Sequence, residues 1–149
     1  MTLNRNPLVG WQVDRAGIRT VGRDLQRPEC ILAERDGTLW TADARGGVMR
    51  IAPGGEQTLI AQTPDGSGQP RTAEQLILGG TLPNGIAFDR DGNILIANFG
   101  TDAIELMTRD GRSSTLYDRI DGQPLGKTNF VLTDSRGRIW FTVTTRLQP

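Results

Sequence analysis

The chain has 149 residues, 36% of them hydrophobic and 23% charged, with 17 basic and 17 acidic side chains. That is enough for one domain with a core, and the balanced charge excludes the electrostatic footprint of a nucleic-acid or anionic-membrane binder. The absence of histidine excludes a Ser-His-Asp triad, a Cys-His pair and a His-built zinc site, and one cysteine cannot form an internal disulfide.

The first segment, "MTLNRNPLVGWQVDRAG", has no apolar signal core, and no run approaches 18 apolar residues. With the single cysteine, these features lead us to expect a reducing, cytoplasmic setting. "AGIRTVGRDL" reads as a strand preceding the main body, within an N-terminal region 1–26. Next comes "RPECILAERDGTLWTADARGGVMRI", where the apolar run Cys30–Ala33, the turn Asp36-Gly37 and Leu39-Trp40 predict a hairpin. Cys30 reads as a small buried hydrophobe rather than a nucleophile.

The pattern then repeats. "LPNGIAFDRDGNILIANFGTDAIEL" begins at Leu82 and "KTNFVLTDSRGRIWFTVTTR" at Lys127. Each segment has a short apolar strand, then a tight turn at Asp36-Gly37, Asp91-Gly92 or Arg136-Gly137. A second strand follows with a large apolar residue at one register position: Trp40, Leu95 or Trp140. After the first two come further turn-and-strand pairs, "VMRIA" with "EQTLIA" and "AIELM" with "SSTLYD". A full unit therefore reads as a four-stranded meander, and a repeat of about 40–50 residues indicates a propeller blade. The fold class expected is all-β, a β-propeller of about three four-stranded blades over residues 1–149, with units at about 27–81, 82–126 and 127–149. A β-sandwich is the alternative. "QTPDGSGQPR" reads as a polar loop, "EQLIL" as a strand, and "RIDGQPLGK" as the link between the second and third units. Trp40 and Trp140 are expected in blade cores, and Asp43 and Asn98 as turn formers after the second strands.

Glu29, Asn84 and Asn129 share one frame, each two residues before an equivalent apolar strand position: Ile31, Ile86 and Val131. Equivalent positions of successive blades converge on a propeller's axis, so this frame predicts one rim of oxygen donors. A carboxylate with amide carbonyls suits a hard divalent cation, Ca²⁺ foremost, with Zn²⁺, Mg²⁺ or Mn²⁺ also compatible. Read locally, Glu29 is a solvated loop carboxylate and Asn84 a turn residue of "PNG".

"RPECILAERDGTLWTAD", "LPNGIAFDRDGNILIAN" and "GKTNFVLTDSRGRIWFT" together resemble the SMP-30/gluconolactonase/LRE family, over roughly residues 20–146. The resemblance implies a six-bladed propeller with a divalent metal in its central channel and hydrolysis of lactones or sugar lactones. It makes Glu29 and Asn129 metal ligands and Asn84 a ligand or pocket residue. It also implies that a second ligand Asn and the general-base Asp lie beyond Pro149, leaving the catalytic residue unassigned. Phe130 stands where the family usually has Asp, a departure on the substrate side. On this basis the chain is expected to be the N-terminal half of a propeller, a fragment inactive alone, completed by a missing second half or by a homodimer. The alternative is a non-catalytic propeller module that binds a ligand or protein.

Overall fold

The computed structural model describes residues 8–64 and 81–145. The first blade is a four-stranded antiparallel meander of β1 (Ile31–Ala33), β2 (Leu39–Asp43), β3 (Gly47–Ile51) and β4 (Gln57–Ala61). The second is formed by β6 (Pro83–Phe88), β7 (Ile94–Asn98), β8 (Ala103–Met107) and β9 (Arg112–Tyr117), again in sequence order. The third is represented by its inner hairpin, β12 (Lys127–Thr133) and β13 (Ile139–Thr145). The fold is an all-β propeller arrangement, and the only described helical element is one 3₁₀ turn at Arg15–Gly17.

Local chemistry closes each inner hairpin in the same way. Gly37, Gly92 and Gly137 all have positive φ, which the turn requires and a side chain would resist. A carboxylate secures each loop. Asp36 accepts from the Thr38 amide (2.9 Å), Asp89 from the amides of Asp91 (2.9 Å) and Asn93 (2.7 Å), and Asp134 from those of Arg136 and Arg138 (2.9 Å each).

The blades pack face to face through two apolar seams. Between the first and second lie Trp40, Ala42 and Val48 against Ile86, Ile94, Ile96 and Met107. Between the second and third lie Leu95, Ala97 and Ile104 against Val131, with Leu125, Ile139 and Phe141. The first seam is clamped at its outer end. The Arg109 guanidinium lies 4.9 Å from the ring centres of both Trp40 and Phe88, and donates to Glu34 (2.9 Å), which also accepts from the Trp40 indole (2.7 Å).

Several readings of the sequence require adjustment. "AGIRTVGRDL" is not a strand: it holds the 3₁₀ turn and then irregular backbone, with positive φ at Gly22 and Asp24. A strand needs a ladder partner, and no described strand pairs with this segment. Trp140 is not in a core; it is 55% exposed where Trp40 is 2% exposed, because no blade follows β13 among the described residues. Ile31 is likewise 62% exposed, whereas Ile86 and Val131 are buried. The stretch read as a loop from residue 62 contains β5 (Thr63–Pro64), which pairs parallel with β9 at the outer edge of the second blade. Residues 65–80, including "EQLIL", lie outside the described residues. "RIDGQPLGK" carries a small hairpin, β10 (Arg119–Ile120) with β11 (Gln123–Pro124), and its Leu125 is buried in the second seam.

The contrast between the two tryptophans is measurable. Trp40→Ala should cost about 3–5 kcal/mol in urea unfolding, as removal of a buried ring does. Trp140→Ala should cost less than about 1 kcal/mol, as at other exposed positions.

Candidate functional site

The rim begins where each inner strand starts, and a buried side chain of the second strand sets that start. In the second blade this is Asn98. Its amide oxygen accepts from the Leu82 amide (2.7 Å) and the Gly100 amide (3.0 Å), while its nitrogen donates to Thr81 Oγ1 (2.8 Å) and Glu105 Oε2 (2.9 Å). Glu105 is buried on β8 and also accepts from Gln62 Nε2 (2.6 Å) and Thr101 Oγ1 (2.7 Å). Every buried polar group of this network named here has a partner, the condition under which such networks stiffen a fold.

Asp43 occupies the matching place in the first blade. It is fully buried, accepts from the Gln26 amide (3.3 Å), and receives both Nε and Nη2 of Arg45 at 2.7 Å. Burial alone would raise its pKa, but the Arg45 side chain and the backbone amides of Arg45 and Gln26 outweigh it and hold the carboxyl below its ordinary range. Asp43 and Asn98, the last residues of β2 and β7, are thus turn formers, accepting from the Arg45 and Gly100 amides, and they also tie down the chain entering the inner strand. The third blade has Val143 here. Its inner strand is held instead by Thr128, whose buried hydroxyl lies 3.0 Å from the carbonyl oxygens of both Asn98 and Ala103. Lys127 adds an ion pair with Asp102 (2.7 Å).

These anchors place Asn84 and Asn129 in equivalent irregularities. In β6, Pro83 pairs with Asn98 and Gly85 with Ala97, so Asn84 is the extra, unpaired residue of a bulge. In β12, Thr128 pairs with Val143 and Phe130 with Thr142, leaving Asn129 in the same role. A bulge re-aims the side chain it carries and is common beside functional sites. The two bulges abut. A Cβ on Gly85 would lie 2.6 Å from Phe130 Cα and 2.8 Å from the Asn129 carbonyl oxygen, so only glycine permits this approach of the second and third inner strands. Asn84 is buried and Asn129 half-buried; among the described residues neither side-chain amide has a hydrogen-bond partner.

Glu29 is built differently. Its blade has one residue more between the latch at Gln26 and the inner strand, taken up where Arg27 adopts φ 50° and its carbonyl accepts from the Glu29 amide (2.8 Å). Glu29 is exposed and its carboxylate is ion-paired with Arg27. The structure therefore brings Asn84 and Asn129 side by side at the backbone. It leaves Glu29 one blade away, with no hydrogen bond to either. Cys30 beside it is half-buried, packs on the first seam and donates its thiol to the Ile86 carbonyl (3.4 Å).

Three oxygen donors of this kind fit a hard divalent cation chemically, but they do not fill the six to eight positions of a calcium shell. Among the described residues no three Cys, Asp or Glu side chains gather to hold an ion. The sequence reading missed the Gln62–Glu105–Asn98 network. Its signal was a lone acid, Glu105, inside the apolar run "AIELM".

Solved structures share the fold. A catalytically inactive virginiamycin B lyase from Staphylococcus aureus, crystallised with Quinupristin, superposes with a TM-score of 0.54 at 19% identity, over 84% of this chain and 36% of that one. A gluconolactonase from Xanthomonas campestris gives 0.54 at 24% identity, over 72% and 31%. The extracellular domain of a one-component system from B. thetaiotaomicron gives 0.51 at 14%, over 83% and 16%. The chain thus spans about a third of the length of the lyase and the gluconolactonase, both propeller folds. No family model and no curated protein sequence matches it. Among the described residues no helix is long and apolar enough to cross a membrane.

Two substitutions test the anchoring. Asn98→Ala should destabilise by about 2–4 kcal/mol, since it strips a partner from the buried Glu105 carboxylate and from the half-buried Leu82 and Gly100 amides. Because Asp43 has a lowered pKa in the folded state, its contribution is complete above the unfolded value and fades as pH falls through the folded one. Asp43→Asn should therefore flatten the loss of stability on acidification below the ordinary carboxylate pKa of 3.8, as followed by urea titrations at stepped pH.

Proposed function

We propose that Asn84, Asn129 and Glu29 form part of a divalent-metal site of the lactone-hydrolase type, and that this chain contributes ligands to that site rather than a whole active centre. The observation that carries the proposal is the pair of abutting bulges, which take two amide side chains out of the strand ladder at one end of neighbouring inner strands. The gluconolactonase likeness supports the substrate class, a small lactone or sugar lactone.

In this reading the amide oxygens of Asn84 and Asn129 and the Glu29 carboxylate hold the ion, with Ca²⁺ the first choice. A divalent ion so bound polarises a lactone carbonyl and lowers the pKa of a coordinated water. Arg27 neutralises Glu29 before the ion arrives, and must release it for coordination. The rigid inner strands keep the two amides in place, since Gly85 and the Thr128 hydroxyl fix their spacing. A base for the water is not among the roles given to these residues.

Further blades must close the channel around such a site. The outward face of the first blade is partly covered by its own chain: Leu25 and Ile51 side chains crowd Gly22, and Gln57 exchanges hydrogen bonds of 2.8 Å with both Arg23 backbone groups. Whatever closes the ring there, a second copy or a separate second half, has to accommodate that segment.

A second reading, a ligand- or protein-binding module without catalysis, is favoured by the Arg27–Glu29 ion pair and by the likeness to the extracellular domain of a one-component system.

Thermal shift with Ca²⁺, Mg²⁺, Mn²⁺ and Zn²⁺ separates the two. On the metal reading the melting temperature rises saturably with one of them, Glu29→Gln and Asn129→Ala each abolish the rise, and Arg27→Gln strengthens binding by about two- to fivefold, the worth of an exposed ion pair. No response to any of the four ions sinks that reading. Sizing separates the two ways of closing the ring: a stable species near 16.3 kDa sinks the homodimer, and a stable dimer supports it.

A further inference from the structure

Packing and chemistry make opposite demands at Gly85. Packing requires glycine: a Cβ there would lie 2.6 Å from Phe130 Cα, 2.8 Å from the Asn129 carbonyl oxygen and 3.0 Å from the Val131 nitrogen. The residue before it is Asn84, and asparagine is a thermally labile side chain. It is most labile before glycine, where no Cβ hinders attack of the next main-chain nitrogen on the side-chain amide. The sequence holds one Asn-Gly pair, this one. Asn129, on the equivalent bulge, is followed by Phe130, whose side chain obstructs the same attack. The contact that demands glycine also restrains the reaction. Asn84 is 5% exposed and Gly85 is buried. Ring closure must swing the Gly85 nitrogen onto Asn84 Cγ, which displaces the Gly85 backbone from its strand. The inner strand of the third blade fills the space that this movement needs. The Thr128 hydroxyl and the second seam, with Val131 against Leu95, Ala97 and Ile104, hold β12 there.

We propose that Asn84 is a deamidation site gated by the second seam, silent while β12 is seated on β6 and reactive when the third hairpin lifts away. In the reaction the Gly85 nitrogen attacks Asn84 Cγ. The bond from Cγ to the side-chain nitrogen breaks, and ammonia leaves with the proton that Gly85 gives up. A cyclic succinimide remains. Water then opens the ring at either carbonyl. Opening at Cγ leaves an aspartyl residue and an intact main chain. Opening at the main-chain carbonyl leaves an isoaspartyl residue, whose link runs through Cγ and is longer by a methylene. The longer link does not restore the bulge beside Gly85, so a hairpin that has lifted and reacted this way does not reseat. Both products put a carboxyl group where the rim had a neutral amide. The inference holds whether or not a cation binds there.

The test follows the mass of the proteolytic fragment containing Asn84 while the whole chain is incubated in mildly alkaline buffer. Isomerisation at the Asp-Gly turns leaves mass unchanged, so the measurement reads amide loss alone. A synthetic peptide of residues 82–88 gives the unshielded rate. We expect the folded chain to convert about a hundredfold more slowly than the peptide, since a packed segment opens only at a cost in free energy. Val131→Ala should speed conversion about tenfold, through the cavity it leaves in the second seam. Thr128→Ala should speed it about three- to tenfold, the worth of a hydrogen bond. Val48→Ala, as deeply buried but in the first seam, should leave the rate unchanged. The isoaspartyl form should exchange its amides in 127–133 faster than the starting chain. Conversion of the folded chain at the peptide's rate overturns the proposal, as does failure of both second-seam variants to speed it. Equal acceleration by Val48→Ala also overturns it, by placing control in global unfolding. Unchanged exchange in the isoaspartyl form overturns the loss of reseating.

Discussion

Everything in this molecule depends on the need of a twisted sheet with two apolar faces for a neighbour on each side. The second blade has both. Its Ile86, Ile94, Ile96 and Met107 meet the first blade, and its Leu95, Ala97 and Ile104 meet the third. β7 is accordingly buried at every residue, while β13 alternates between half-buried and exposed positions. Neighbouring inner strands can approach closely only where one lacks a side chain, which makes Gly85 the spacer of the second seam at the rim.

The polar groups at the rim follow from the same packing. Each inner strand starts at the end of a blade, where backbone amides leave the ladder and need other acceptors. Asp43 and Asn98 supply them from the neighbouring strand, whereas in the third blade the Thr128 hydroxyl ties the inner strand down by donating to the carbonyls of the second blade. The cost of burying an acid is offset differently in each blade: Asp43 by the guanidinium of Arg45, Glu105 by three neutral donors. Strands fixed at this end then hold their bulged asparagines in a defined place.

Much of this was legible in the sequence because turn chemistry and strand period are local. The Asp-Gly and Arg-Gly turns, the paired positions Trp40 and Leu95, and the four-strand rhythm of two blades all follow from residues near one another. What escaped depends on partners distant in sequence or lying outside the chain. Trp140 repeats Trp40 in register but has no Phe88 and Arg109 to cover it. "AGIRTVGRDL" alternates like a strand but has no ladder to join. The shared frame of Glu29, Asn84 and Asn129 was visible, yet counting back from the strand hid a difference. Two of them sit on bulges, whereas Glu29 follows a turn at Arg27 that an extra residue forces.

The two-residue strand β5 has a consequence for how the molecule comes apart. It leaves the first blade and pairs with the outer strand of the second, and Gln62 just before it reaches the buried Glu105. Separating those two blades therefore requires breaking backbone pairing at the rim's far side as well as the apolar seam. Among the described residues the third hairpin has no such strap. Native-state openings should accordingly divide the chain unequally, with the first two blades behaving as one cooperative unit and β12–β13 peeling away from it at lower free energy.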